Sequence, residues 1–314
     1  MLGERIIVEA PGKVNLLLSV GERCDDGYHQ VRSIFHTIGL ADTLSFELVP
    51  RDSQAPAFSI ECDAFDGIPL EDNLIYRAHE AFTQRFGAVG PNGSALRVRV
   101  RKRIPMRAGL GGGSTDAAAM LFADACRLGV SPTSPELLEV ASALGADVAF
   151  FLHGGCAYME GRGDVLSRAF EPLSTPLVII DRGEGVSTAE AYRTFDADPQ
   201  PQVPVEPLAV VLASGRSHGM HDATGFMANN LEAAACALSG SVSEQLAWLR
   251  GHALVRTALV SGSGSSCFAL CASPSDAEIV ADEAADAGFG VWRTQLVSDG
   301  VRLVTEEATA GSVG

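Results

Sequence analysis

Residues 105–116, Pro-Met-Arg-Ala-Gly-Leu-Gly-Gly-Gly-Ser-Thr-Asp, constrain the chain more than any other stretch. Upstream of them, Leu96, Val98 and Val100 alternate with Arg97, Arg99 and Arg101, the period of a strand with one buried face. Downstream, Ala117-Ala118-Ala119-Met120-Leu121-Phe122-Ala123 opens a run of good helix formers. The glycines therefore lie between a strand and the N-terminus of a helix. A helix start carries unpaired N–H groups and partial positive charge, and residues without Cβ let a ligand approach the backbone closely. That context suits a phosphate. No Gly-Lys-Ser/Thr follows the glycines, so this is not a Walker A loop. Counted from Gly109 and Gly111, the third slot of a dinucleotide fingerprint is Ser114, so the match to that pattern is not clean and a dinucleotide oxidoreductase is a distant third reading. A flexible surface loop is the plain alternative. Four glycines in the five positions 109–113, followed by Ser-Thr-Asp and set between strand and helix, make it the weaker one.

The 314 residues are enough for two ordinary domains, and 46% hydrophobic with 20% charged residues describes a globular chain. A net charge of −16 argues against a general binder of nucleic acid or of membrane surfaces. No apolar run reaches membrane-spanning length, and the first residues carry no signal-peptide core. Seven scattered cysteines without a Cys-x-x-Cys pair fit reduced thiols and a cytoplasmic protein. Cys267 and Cys271 have no histidine cluster beside them, so zinc is not expected. Of the 23 basic residues only Lys13 and Lys102 are lysine. A chain that uses arginine almost everywhere keeps lysine where a compact ammonium fits and a planar fork does not; chance is the alternative.

From the N-terminus, residues 6–20 read as a strand, a break at Pro11-Gly12-Lys13-Val14-Asn15 and a second strand. Lys13 and Asn15 point to one face of a strand, and burying them needs partners. An edge lysine reaching to solvent is the competing account. Asp25-Asp26-Gly27-Tyr28-His29 is a turn whose aromatic and histidine fit packing and ligand binding equally well. Strands are expected at Val31–Phe35 and Thr43–Leu48, and a helix capped by Asp72 through Phe86. Ser134 with Pro135 starts another helix, stopped by Gly145. Asp147 follows among apolar and small residues, and its local context favours a helix cap over a special role. Residues 196–207, with four prolines, read as a linker or loop. Helices are expected near Met227–Leu238, Ser243–Leu249 and Ser275–Ala287, with a frayed tail after Val304. Ser261-Gly262-Ser263-Gly264-Ser265-Ser266 separates two strands, either as a site wall or as a plain hairpin loop.

Taken together, these stretches resemble the GHMP kinases, small-molecule kinases named for galactose, homoserine, mevalonate and phosphomevalonate. Pro11-Gly12-Lys13-Val14-Asn15 is similar to the family's first motif, Pro105 to Thr115 to its phosphate loop, and Ser261 to Ser266 to its third, glycine-rich motif. The combination with Asp-Gly-Tyr-His, Leu-Gly-Ala-Asp-Val and Val-Ser-Thr-Ala resembles one branch, acting on a small molecule that carries a cytidine diphosphate group in non-mevalonate isoprenoid precursor synthesis. Arg107 stands where that pattern has a small residue, Thr115 where it has serine, and Ala149 where it has proline.

The resemblance implies an α/β, two-domain GHMP-kinase fold. Residues 1–160 would resemble ribosomal protein S5 domain 2, residues 161–314 would be ferredoxin-like, and the cleft would lie between them. It implies transfer of the ATP γ-phosphoryl group to a hydroxyl of the substrate. Pro105, Met106, Arg107, Ala108, Gly109, Leu110, Gly111, Gly112, Gly113, Ser114 and Thr115 would wrap the phosphates, Ser114 would also meet Mg²⁺, and Asn73, Leu74 and Lys102 would lie toward the adenosine. Asp147 would be the general base, with Lys13 beside it. Tyr28 and Tyr192 would sandwich the cytosine, His29 would hydrogen-bond its edge, and Asn15, Ser187 and Thr188 would contact the rest of the substrate. The basic cluster Arg97, Arg99, Arg101, Lys102, Arg103 and Arg107 would attract the anions, part of it being a solvated face. A monomer or homodimer without nucleic-acid or membrane partners is expected. Another GHMP kinase, of mevalonate or homoserine type, and a non-catalytic ligand sensor on the same fold are the alternatives.

Overall fold

The computed structural model describes residues 5–25, 27–51, 56–65, 67–214 and 223–305. Asp26 and the tail beyond residue 305 lie outside them. Among the described residues, the strands in chain order are β1 (Arg5–Arg23), β2 (His29–Pro50), β3 (Phe58–Glu61), β4 (Ser94–Arg101), β5 (Cys156–Glu160), β6 (Val165–Phe170), β7 (Pro176–Asp181), β8 (Ala228–Asn229), β9 (Val255–Val260), β10 (Cys267–Cys271), β11 (Gly290–Gln295) and β12 (Arg302–Leu303). The α-helices are α1 (Leu74–Phe86), α2 (Gly112–Leu128), α3 (Pro135–Leu144), α4 (Val148–His153), α5 (Thr188–Ala197), α6 (Glu206–Ala213), α7 (Glu232–Leu238), α8 (Gly240–Gly251) and α9 (Pro274–Asp286).

The first sheet runs β12-β1-β2-β4-β3, with β5 on β2, β6 on β5 and β8 on β1. Its spine is the β1–β2 hairpin. The expected break in residues 6–20 is instead a bulged continuation: β1 stays paired with β2 through register shifts between Pro11 and Lys13 and between Asn15 and Leu17. An extra residue lets the strand bend and re-aim a side chain without ending the ladder. The two short strands expected at 31–35 and 43–48 merge into β2 because β5 pairs with its first part and β4 with its last. In β4, Leu96, Val98 and Val100 are buried while Arg99 and Arg101 are exposed, as the alternation requires. Removing those three side chains from water stabilises the fold by about 1.5–3 kcal/mol each. Helix α2 lays Ala117, Ala118, Ala119 and Leu121 into the same core.

The second sheet is antiparallel, in the order β11-β7-β10-β9, and its elements follow the chain as β-α-β-β-α-β, the ferredoxin-like arrangement. Strand β7 is apolar from Pro176 to Ile180 because both faces are covered. Val178 and Ile180 meet the helices of their own unit, whereas Leu177 and Ile179 meet Leu16, Leu17, Ile34 and Ile38 of the first sheet. This second contact fuses the two sheets. The helix expected over 227–238 begins five residues later, because Ala228 and Asn229 pair with Leu17 and Leu18 as a strand. Asn230 then imitates a strand neighbour, accepting from Val20 N and donating to Val20 O. Asp72 is displaced as helix cap by Asn73, whose Oδ1 accepts from Ile75 N. Ser134 caps α3, with Pro135 in its first turn.

His36 is fully buried in β2. Its Nε2 accepts from Leu173 N at 2.9 Å, so the ring proton belongs on Nδ1, which faces Thr37 O. Burial pulls its pKa down to about 4, against a partial rise from the Thr37 bond. The unfolded chain therefore takes up this proton first as pH falls. Stability from a neutral His36 is complete above about pH 6.5 and is lost as pH drops toward about 4, by about 3 kcal/mol. Urea unfolding at pH 7.5 and 4.5 should show a His36→Gln variant, less stable at the outset, losing that much less than the parent chain.

Candidate active site

Strand β4 delivers the chain into the glycine loop, and α2 leaves it. Gly111 takes the cap position of α2 with φ of 75°, and no side chain caps that helix. The N–H groups of Gly112, Gly113 and Ser114 precede the first residue that bonds back along the helix, Thr115, whose N–H donates to Gly111 O. These three residues line a cavity of about 540 Å³, an arrangement suited to an anion. The glycines are also demanded by packing. A Cβ on Gly109 would lie 1.9 Å from Ser261 O, and one on Gly111 would lie 2.6 Å from Phe151 Cζ.

The loop after β9 clasps this first loop. Ser261 Oγ donates to Gly109 O and Ser266 N to Ala108 O. Asn229 Nδ2 holds the clasp by donating to Val260 O and Gly262 O. Gly262 and Ser263 face the cavity, so this stretch is a site wall.

Lys13 enters from the β1 bulge and is 4% exposed. Its Nζ donates to Asn15 Oδ1 at 2.8 Å and to Gly109 O at 3.1 Å, and lies 3.6 Å from Asp147 Oδ2. Asn15 spends its amide on Ser33 Oγ, so both ends of its side chain serve to hold Lys13. Asp147 does occupy the cap position of α4, but its side chain makes no cap hydrogen bond and faces the cavity and Lys13. The local preference for a capping role is thereby corrected: the tertiary partner takes the carboxylate.

Lys102 Nζ is held between the buried carboxylates of Asp42 and Asp116. Burial pulls its pKa down, and the two carboxylates more than restore it. Asp116 is pushed up to about 8, mainly by burial, with Lys102 opposing. Asp42 Oδ1 also accepts from Arg103 N and Ile104 N, fixing the entry to the glycine loop. Of the basic cluster, Lys102 and Arg107 line the cavity, whereas Arg97 and Arg99 face Glu61 in solvent. Arg107 has φ of 55°, and its Cβ is 3.5 Å from where a Cβ on Gly185 would stand.

A second cavity, of about 980 Å³, shares Val31, Ala146, Arg162, Thr188 and Tyr192 with the first. Tyr28 and His29 open onto it. Tyr28 is 56% exposed, with the Arg162 guanidinium 4.9 Å over its ring. Tyr192 lies 5.1 Å from the His29 ring, and its pKa is pushed up to about 12, by burial first and by Asp147 second. The His29 ring is engaged at both nitrogens, Nδ1 with Gly21 O and Nε2 with Asp196 Oδ1, each at 3.0 Å. No ring nitrogen is left for a base edge, so the expected hydrogen bond is replaced by a wall.

Pro105 through Ser114, Asn73 and Leu74 line the first cavity, and Thr188 bridges to Ser263 Oγ. Thr115 is fully buried and turned away, because successive helical residues diverge by about 100°. Ser187 lines neither cavity; it caps α5 by accepting from Glu190 N. Asp42 and Arg162 join the site without having been singled out, whereas Asp116 and Ser263 lie in stretches the sequence had marked, the glycine loop and the third glycine-rich motif.

The model described as GHMP kinases N terminal domain matches residues 73–155, and that described as GHMP kinases C terminal matches residues 215–289. The chain is 33% identical to the 4-diphosphocytidyl-2-C-methyl-D-erythritol kinase of Desulfitobacterium hafniense over 96% of its own length and 99% of that protein's. It is 36% identical to the kinase of the same name from Salinispora arenicola, over 88% and 86%. A crystal structure of 4-(cytidine 5'-diphospho)-2C-methyl-D-erythritol kinase superposes with a TM-score of 0.73 at 35% identity, covering 93% of this chain and 99% of the other. A homoserine kinase from Cytophaga hutchinsonii has the same fold, with a TM-score of 0.73 at 18% identity, over 97% and 98%.

Proposed function

The chain belongs to the GHMP kinases, and from that membership we propose that it transfers the γ-phosphoryl group of ATP to the 2-hydroxyl of 4-diphosphocytidyl-2-C-methyl-D-erythritol, a step of the non-mevalonate isoprenoid pathway. The observation that carries this reading is the placement of Lys13 and Asp147. They stand together in a cavity that has a bare helix N-terminus, beside the boundary with a second cavity walled by Tyr28 and Tyr192. The phosphates would lie on the N–H groups of Gly112, Gly113 and Ser114. Asn73 and Leu74 border the adenosine end, with the apolar side chains of Phe65, Ile68 and Met106 as its surroundings.

Asp147 accepts the proton of the 2-hydroxyl as that oxygen attacks. Lys13 opposes the negative charge developing there. Gly109 O and Asn15 hold two of the three N–H bonds of Lys13, so the third is aimed at the reacting groups. Among the described residues no group of three or more His, Cys, Asp or Glu could cage a metal. A Ser114 hydroxyl at the helix start suits Mg²⁺, which keeps most of its waters and arrives with phosphates. Ser114 would hold it, and the ion would neutralise charge on the β- and γ-phosphates. We further propose two units, 1–160 and 161–314, the second contributing β6, β8 and β12 to the first sheet. No helix of the described residues is long and apolar enough to cross a membrane. All seven cysteines are free thiols, and we place the enzyme in the cytoplasm.

The test is a coupled ADP-release assay with the diphosphocytidyl substrate, mevalonate and homoserine. Turnover with the first alone supports the proposal, and turnover with either of the others instead overturns it. In the same assay, Tyr28→Ala or Tyr192→Ala should weaken the cytidine substrate by about 1–3 kcal/mol, the worth of base stacking, and leave the KM for ATP unchanged.

A further inference from the structure

Asp181 ends β7, is 3% exposed, and touches neither cavity. Its carboxylate gathers three donors. Oδ2 accepts from Ser265 Oγ at 2.8 Å and Ser266 Oγ at 2.6 Å, and Oδ1 accepts from Gly183 N. Two different loops are thereby fixed by one side chain. Ser265 and Ser266 belong to the stretch whose other end, Ser261, donates to Gly109 O, and Ser266 N donates to Ala108 O. Gly109 O in turn holds Lys13 Nζ. In the same stretch, a Cβ on Gly262 would stand 3.5 Å from Lys13 Nζ, so its backbone forms the wall beside the reacting groups. Gly183 starts the turn that brings Gly185 against Arg107. A buried carboxylate that loses its donors, or donors that lose it, is costly, so this cluster holds a single arrangement.

We infer that Asp181 is a positioning residue for phosphoryl transfer: it presses the Ser261–Ser266 stretch onto Gly109 and so sets where Lys13 meets the transferred phosphoryl group. The inference rests on the kinase reading for its meaning, and its principal readout does not require turnover. On the kinase reading a γ-phosphoryl group would lie against Lys13 and Gly262, whereas an ADP would lie back along the helix start. Asp181→Asn leaves one acceptor oxygen where there were two.

Calorimetry with AMP-PNP and with ADP, both with Mg²⁺, should show the ratio of the two affinities falling about tenfold in Asp181→Asn. In the assay above, kcat per AMP-PNP-binding site should fall by about 30-fold, with the KM for the acceptor within threefold of the parent. The double variant Ser265→Ala, Ser266→Ala removes the same two bonds from the loop side and should reproduce the changed ratio. It carries the test if Asp181→Asn does not fold. A residue that merely stabilises the unit would lower the melting temperature, or both affinities together, and leave the ratio intact. An AMP-PNP to ADP ratio within twofold of the parent in a folded variant overturns the inference. A parent protein inactive on the diphosphocytidyl substrate overturns the proposed function and leaves the ratio test standing.

Discussion

Asp147→Asn should lower kcat by roughly 100- to 10,000-fold, the range for a general acid–base group, with AMP-PNP affinity within about threefold of the parent. The substitution keeps the shape of the side chain and removes its capacity to take a proton. Because Asp147 makes no cap hydrogen bond to α4, the helix loses nothing that the carboxylate alone supplied, and any fall in melting temperature should come from Lys13 losing its counter-charge. Lys13 keeps its bonds to Asn15 and Gly109 in the variant, so the ammonium stays in place and a residual rate from charge stabilisation remains. Single-turnover and steady-state rates should fall together, since the lost interaction belongs to the chemical step. Turnover within tenfold of the parent would return Asp147 to an orienting role.

Gly109→Ala should abolish measurable turnover and destabilise the protein by on the order of 3 kcal/mol or more, the scale of severe steric substitutions. Two causes add. The backbone at Gly109 has φ of 76°, which L-residues resist, and the new Cβ would lie 1.9 Å from Ser261 O. That neighbour is backbone, so no side-chain rotation relieves the overlap. The loops must part, which breaks the Ser261–Gly109 bond and moves the carbonyl that holds Lys13. Gly113→Ala is the control. Its Cβ would meet only Leu74 Cδ1, at 3.7 Å. That variant should fold with an unchanged melting temperature, and any activity loss should appear as a raised KM for ATP. Equal melting curves for the parent and Gly109→Ala would contradict the steric argument.

The parts of the site that could be read from sequence are those whose signals are local. The alternation of Leu96, Val98 and Val100 and the alanines after Asp116 place the glycine loop without tertiary knowledge. The two-residue spacing of Lys13 and Asn15 puts them on one face, where Nζ and Oδ1 do meet. What escaped depends on residues distant in sequence. Lys102 reads as a free cation until Asp42, 60 residues earlier, closes on it. Asp147 reads as a cap until Lys13 arrives from β1. Ser187 is the reverse case: as a ligand it came from the resemblance, while its local geometry is that of a helix cap. The bulge through Pro11 and Gly12 looked like a break because proline and glycine usually end strands, and only the long partner β2 keeps it paired.

The outer edge of β1 is covered by β8 and β12, and the bond from Arg302 to Glu9 joins residues 293 positions apart. On the ribosome that distance is time. At about 5–20 residues per second, Glu9 waits roughly 15–60 s for its partner to be made. Throughout that interval the first strand synthesised presents an open edge, the kind of surface on which nascent chains pair wrongly. The N-terminal unit thus cannot finish its sheet as an independent folding event during synthesis. Its completion is deferred to the last strand made, which makes the yield of folded protein sensitive to the rate of elongation and to whatever shields that edge meanwhile.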